Sequence, residues 1–272
     1  MKKGQRRMKT EEAISAEVER LVPRPASVIE LSCGRGHLLG KLREKGYDVV
    51  GTNYSVYEDA APDLPILSGV DVTQGAGFTE RTFDCVIFSE AIQNISDHYA
   101  VFRTVADLLK EGGIAVITTP NILNVRSRLH FLLTGFFRVK WNFIGFDVPY
   151  EESFCYHNHP LHLPVDAYYA LKAGLTLGAV DGINVKYRNL LPLALLYAPI
   201  WLATWWNTSR AEPYLARSGY GDAVCSWMTG FQTLAAERLM LVMRKETPEV
   251  QARRTPRISW YRKAERPACE TS

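Results

Sequence analysis

Ten residues, Ser27 to Gly36, constrain this chain more than any other stretch. Val28, Ile29 and Leu31 read as a buried strand that passes through Glu30 into Gly34-Arg35-Gly36, and His37 to Lys45 reads as the helix it feeds, with Leu38, Leu39 and Leu42 at helical spacing. Strand, tight turn and helix in that order form the first half of a βαβ crossover, so a parallel sheet follows. Glycine at 34 and 36 tolerates φ > 0 and lets a ligand approach the backbone without meeting a Cβ atom. The helix N-terminus just beyond adds oriented N–H groups. Tyr47 to Ser55 supplies a second strand, with the polar Asn53 about where such folds hold a ribose. A nucleotide-like ligand is expected. A dinucleotide is disfavoured, because the third glycine of G-x-G-x-x-G would fall at position 39, which is Leu39.

From Val28 to Asn121 apolar strands alternate with amphipathic helices, which predicts a doubly wound, mostly parallel α/β sheet. A helix is expected from Thr10 to about Leu21, ended by Pro23 and Pro25. Later elements are a helix over Pro164 to Gly174, a strand region over Leu175 to Tyr187 and a final strand at Arg238 to Arg244. The expected organisation is a basic tail and helix (1–26), a cofactor-binding core (27–121) and a lid and substrate region (122–164). The rest of the sheet follows (165–245), carrying an apolar insertion (188–232), and then a disordered tail (246–272).

The blocks match a known family in order. Glu30, Cys33, Gly34 and Gly36 resemble motif I of the class I S-adenosylmethionine-dependent methyltransferases. Val70-Asp71-Val72, Thr82 to Phe88, the "LKPGG"-like Leu108 to Gly113, the strand Ile114 to Thr119 and Pro120-Asn121 follow where that family has its later motifs. The resemblance implies a seven-stranded Rossmann-like sheet and S-adenosylmethionine as methyl donor, with S-adenosylhomocysteine as product. It implies that Glu30 holds the amino end of the methionine part, that backbone around Ser32, Cys33, Gly34 and Gly36 lines the cradle, and that Asn53 meets the ribose. Tyr54 packs on adenine, Asp71 faces the adenine amino group with the Val72 N–H near a ring nitrogen, and Ser89 lies at the end of the fourth strand. Asn53 departs from the family's acidic residue, and a neutral acceptor makes weaker hydrogen bonds than a carboxylate. Gln93-Asn94 stand where Glu and His are common. His157 to Pro164 and Leu171 to Leu175 resemble the "HxxP…L…aGF" segment of many bacterial members, and Asn121 to Gly135 resembles a stretch of methyltransferases of sugar and cell-envelope pathways, which points to O-methylation of a glycan or lipid-linked glycan. A small-molecule or quinone-type O-methyltransferase, and a non-catalytic cofactor-binding or scaffolding module, stay open beside it.

The formal net charge of +3 over 272 residues is too small and dispersed to argue for nucleic acid. Cys33, Cys85, Cys155, Cys225 and Cys269 form no C-x-x-C pair, which fits a reducing cytoplasm; Cys33 and Cys85 read as packing residues. The N-terminal lysines lack a following apolar core, so no secretory signal is expected. His37 and His130 fall on helical patterns and His98 on a loop. His157, His159 and His162 cluster in an aromatic stretch, but without a carboxylate or cysteine at ligand spacing they do not argue for a metal. His157 is the candidate base, if the acceptor is a hydroxyl.

Leu190 to Trp206 is nearly all apolar, broken by Pro192 and Pro199, and shorter than the roughly 20 residues that cross a bilayer. It reads as a buried helix, a homodimer contact, or a segment dipping into a membrane surface, where Trp201, Trp205 and Trp206 beside Arg188 and Arg210 suit an interface belt. The last reading makes the protein peripheral at the inner face of the membrane.

Overall fold

The computed structural model describes residues 3–75, 77, 81–138, 145–149, 152, 156, 159–210, 220–247 and 249–250. The strands are β1 (Ser27–Leu31), β2 (Asp48–Asn53), β3 (Ile66–Ser68), β4 (Phe83–Ser89), β5 (Leu109–Pro120), β6 (Leu175–Val185) and β7 (Ala236–Lys245). They make one sheet in the order β3-β2-β1-β4-β5-β7-β6. The first five are mutually parallel, and β7 runs antiparallel between β5 and β6. The expected seven-stranded, doubly wound α/β fold is therefore present. A parallel β1-β4-β5 centre flanked by helices explains the apolar runs in the middle of these strands, Val28-Ile29, Cys85 to Phe88 and Ile114 to Ile117.

Alternation along β4 shows how the two layers are assigned. Val86 and Phe88 point into one core with Phe102, Val105 and Leu239, while Cys85 and Ile87 point into the other with Ile14, Leu39 and Val116. Helices α1 (Lys3–Leu21) and α2 (His37–Glu44) cover the second face; α3 (His98–Leu108) and α5 (Leu163–Lys172) cover the first. Helix α1 begins before Thr10, and α3 ends at Leu108. The turn expected over Leu108 to Gly113 is absorbed into β5: Leu109 already pairs with Phe83, and the register shift between Phe83 and Cys85 takes up the extra length around Gly112, whose φ is 74°.

Between β6 and β7 the chain forms α6 (Tyr187–Arg210), α7 (Tyr220–Thr229) and α8 (Phe231–Ala235), with α4 (Val125–Thr134) packed alongside. Helix α6 continues through both prolines. The carbonyls that Pro192 and Pro199 leave without a helical donor belong to Arg188 and Leu195, both exposed residues, so water replaces the missing bond. Helix α6 is not wholly buried: Leu193, Leu196 and Ile200 pack on Val125, Leu234 and Ala235, and α7 packs alongside it, while Leu191, Leu195, Trp205 and Trp206 stay exposed. Among the described residues, no helix is long and apolar enough to cross a membrane.

Candidate active site

Parallel strands bring their carboxyl ends to one edge of the sheet, and four polar residues meet there. Glu30 lies at the end of β1 with only 4% exposure, Asn53 ends β2, Asp71 follows β3, and Ser89 ends β4. The turn from β1 to α2 holds Ser32, Gly34 and Gly36 at φ of 55°, 59° and 79°. At Gly36 a Cβ would approach the Leu64 and Ile66 methyls to 2.9 Å, so a side chain is excluded by both conformation and space. Gly36 caps α2 without any side-chain acceptor. The first N–H groups of that helix are thus available to a ligand at this edge.

Asn53 is turned inward. Its Oδ1 accepts from the Gly34 N–H at 2.7 Å and its Nδ2 donates to the Gly34 carbonyl at 2.8 Å, so one amide clamps the two peptide groups that flank the Gly34 Cα. Tyr54 beside it is 63% exposed. Asp71 Oδ1 accepts from the Thr73 N–H and hydroxyl, fixing the strand-end turn, with Val72 buried under it. Ser89 Oγ lies 3.1 Å from Thr118 Oγ1. These residues end or follow four adjacent strands, an arrangement that fits an extended cofactor with an amino acid at one end and a base at the other.

Beyond β4 lies a second polar group. Glu90, at φ 54°, accepts from Arg238 Nε at 2.6 Å; burial raises its pKa against the opposing pull of Arg238. Gln93 donates to the Glu90 carbonyl at 2.5 Å, and its own carbonyl accepts from the His159 N–H. His98, expected on a loop, is instead the first residue of α3. It is 8% exposed, with Nδ1 at 2.6 Å from Asp166 Oδ1 on α5. A carboxylate only accepts, so Nδ1 carries the proton and Nε2 keeps its lone pair in the neutral ring. Gln93 Oε1, Asn94 Oδ1 and His98 Nε2 are buried with no hydrogen-bond partner among the described residues. The pKa of His159 is lowered by burial and by the nearby His98. His157 lies outside the described residues.

Sequence reasoning missed His98 and Asp166 because they are 68 residues apart. The local signal was Asp97, whose side chain accepts from the Ala100 N–H and so starts α3 at His98. Asn121 proves to be a clamp: its Nδ2 donates to the Thr233 and Ala236 carbonyls and its Oδ1 accepts from the Leu123 N–H. Arg128 ties α4 to the insertion, donating to the Leu123 and Met228 carbonyls, while burial pulls its pKa down to about 10.

A family model described as a methyltransferase domain matches residues 5–159, more than half of the chain. The protein belongs to the methyltransferase-domain family. Its family is that of the class I, S-adenosylmethionine-dependent methyltransferases. Among curated proteins it is similar to the ubiquinone biosynthesis O-methyltransferase of Cereibacter sphaeroides, 28% identical over 128 residues covering 40% of this chain and 49% of the relative. The match thus spans about half that relative's length. Among solved structures it resembles a putative sarcosine dimethylglycine methyltransferase from Galdieria sulphuraria, with TM-score 0.51, 16% identity and coverage of 88% and 86%. A SAM-dependent methyltransferase from Archaeoglobus fulgidus gives TM-score 0.51 at 12% identity, covering 86% of this chain and 94% of its own. These likenesses are of fold.

Proposed function

We propose that this methyltransferase methylates a hydroxyl of a lipid-linked acceptor, a glycan intermediate carried on a lipid. The observation that supports this reading is the broad apolar surface made by α6, in the β6–β7 insertion, and by α4, which follows β5 and packs beside it. Since β6 ends and β7 begins at the sheet edge that holds Glu30 and Asn53, this surface adjoins the acceptor side. Glu30 holds the cofactor's amino group, the Ser32 to Gly36 backbone including Cys33 lines its middle, and Asn53, Tyr54, Asp71 and Val72 meet ribose and adenine, with Ser89 at the reacting end. S-adenosylmethionine supplies an electrophilic methyl on a sulfonium. The protein's task is to align the acceptor oxygen and take its proton. His98, oriented by Asp166, and His157 are the groups for that proton. Membrane contact through Leu190 to Trp206 places the protein peripherally at the inner face.

The test uses methyl-labelled S-adenosylmethionine with a membrane lipid extract and, separately, with nucleotide sugars. Label in the lipid phase, released with sugar by mild acid, supports the proposal; label only in nucleotide sugars overturns it. His98→Ala should lower kcat more than tenfold with cofactor affinity kept. A second reading, a prenylated quinol acceptor, is favoured by the ubiquinone O-methyltransferase match and predicts lipid-phase label that resists mild acid.

A further inference from the structure

Several surface cations are paired: Arg20 with Glu17, Arg35 with Asp59, Lys41 with Glu11, Arg81 with Asp48, Lys110 with Asp84. Two cations without such a partner among the described residues share a cleft. Arg126, Leu129, His130, Arg138 and Pro192 line an open cleft of about 420 Å³ between α4, the chain after it and α6. Arg126 and Arg138 share the lining of this cleft, and Arg188, four residues before the lining Pro192, adds a third positive charge from α6; burial first and then the like charges of Arg138 and Arg188 lower the pKa of Arg126. None of them makes an ion pair among the described residues. Arg138 is fixed over the first turn of α4, its N–H donating to Ser127 Oγ at 3.0 Å. Three clustered cations without a counter-ion repel one another, and a phosphate that accepts from their forks relieves the repulsion.

What surrounds the cleft decides the source of the phosphate. Leu132 and Leu133 at the end of α4 are 78% and 81% exposed, and Leu191 and Leu195 on α6 are 70% and 71% exposed. Trp205 and Trp206 lie open further along α6, with the Arg210 guanidinium 3.6 Å above the Trp206 ring. A small soluble phosphate needs no such apolar rim. Aliphatic and tryptophan side chains around a basic cluster match the acyl and headgroup layers of an anionic bilayer. A second copy is a poorer occupant, because a two-fold interface sets each patch against itself and brings the arginines face to face.

We propose that the Arg126, Arg138 and Arg188 cleft binds a lipid phosphate and, with the apolar face of α4 and α6, seats the protein on an anionic membrane surface. The site goes beyond the acceptor assignment, since it fixes where the enzyme works whichever lipid-linked hydroxyl it methylates. The test is sedimentation of the full chain with phosphatidylcholine vesicles, with and without phosphatidylglycerol, no methyl acceptor present. Binding to anionic vesicles should be at least about tenfold tighter and weaken with salt. The triple variant R126A/R138A/R188A should lose that preference while still binding S-adenosylhomocysteine and melting normally. Trp205→Ser with Trp206→Ser should weaken binding to both vesicle types. Equal binding to neutral vesicles overturns the proposal. So does a triple variant that binds like the parent, which would assign the effect to the basic tails. Inorganic phosphate binding that the triple variant abolishes, without vesicle binding, assigns the cleft to a soluble ligand, and a stable dimer that buries Trp205 and Trp206 assigns the face to a second copy; either result overturns it. Vesicle binding is read without turnover, so its failure removes the peripheral membrane contact while the acceptor is still read by its own labelling assay, and failure of the acceptor assignment leaves vesicle binding measurable.

Discussion

An amide and a carboxylate at the end of β2 are not equivalent, because only the amide can both accept from the Gly34 N–H and donate to the Gly34 carbonyl. The residue that departs from the family's acidic pattern is therefore the one that holds the turn shaped without help from a ligand. Asn53→Asp sets a carboxylate against a carbonyl oxygen, losing one buried bond and adding repulsion. The expected result is a loss of about 1–3 kcal/mol of stability in the free protein, seen as a lower Tm. The same carboxylate, turned outward, can accept from ribose hydroxyls, so S-adenosylhomocysteine should raise the variant's Tm by more than it raises the parent's. An unchanged Tm without ligand would show that the clamp is dispensable. Cys33 and Cys85 are buried as expected, and burial pushes the Cys85 thiol up to about 12, which leaves it inert at neutral pH.

At the scale of elements, the β1 to α2 turn is held against β2 by the absence of a side chain at Gly51. A Cβ there would come within 2.6 Å of both Cys33 Sγ and Leu39 Cδ1 and 3.1 Å of Ile66 Cγ1. Gly51→Ala should destabilise by about 1–3 kcal/mol and weaken cofactor binding by displacing the turn. Cys33→Ala removes one of the clashing atoms, so the double variant should be less unstable than the two single effects combined; strict additivity in chemical denaturation would refute the contact. The strands of the core, the glycine turn and the two late strands were legible in the sequence because apolar runs, glycines and capping residues act locally. The inward rotation of Asn53, the His98–Asp166 pair and the continuity of α6 through two prolines were not. Each is decided by a neighbour distant in sequence or by solvent replacing a lost bond, and neither leaves a periodic trace.

The whole molecule has two unlike sheet edges. The carboxyl edge carries buried polar groups and, at the start of α2, N–H groups without a side-chain cap. The opposite edge is stitched for stability: Asp84, at the start of β4, accepts from the Ser27 N–H and hydroxyl of β1 at 2.8 Å each and from Lys110 Nζ of β5 at 2.9 Å. Burial by itself would raise the Asp84 pKa, but the bonds from Lys110 and Ser27 outweigh it and hold the carboxyl below its usual range. A carboxyl whose pKa is lower in the folded state than in the unfolded chain adds stability above the unfolded value, near pH 4, and loses it as pH falls through the folded value. Asp84→Asn keeps the shape and removes the charge. At neutral pH it should melt below the parent, and the difference should shrink as the pH is lowered from about 4, where the parent's own Asp84 takes up its proton. A Tm difference that stays constant down to acid unfolding would mean that the ionised carboxylate contributes nothing at this edge. A closing difference would show that three central strands are joined there by one charge, at the edge opposite Glu30 and Asn53.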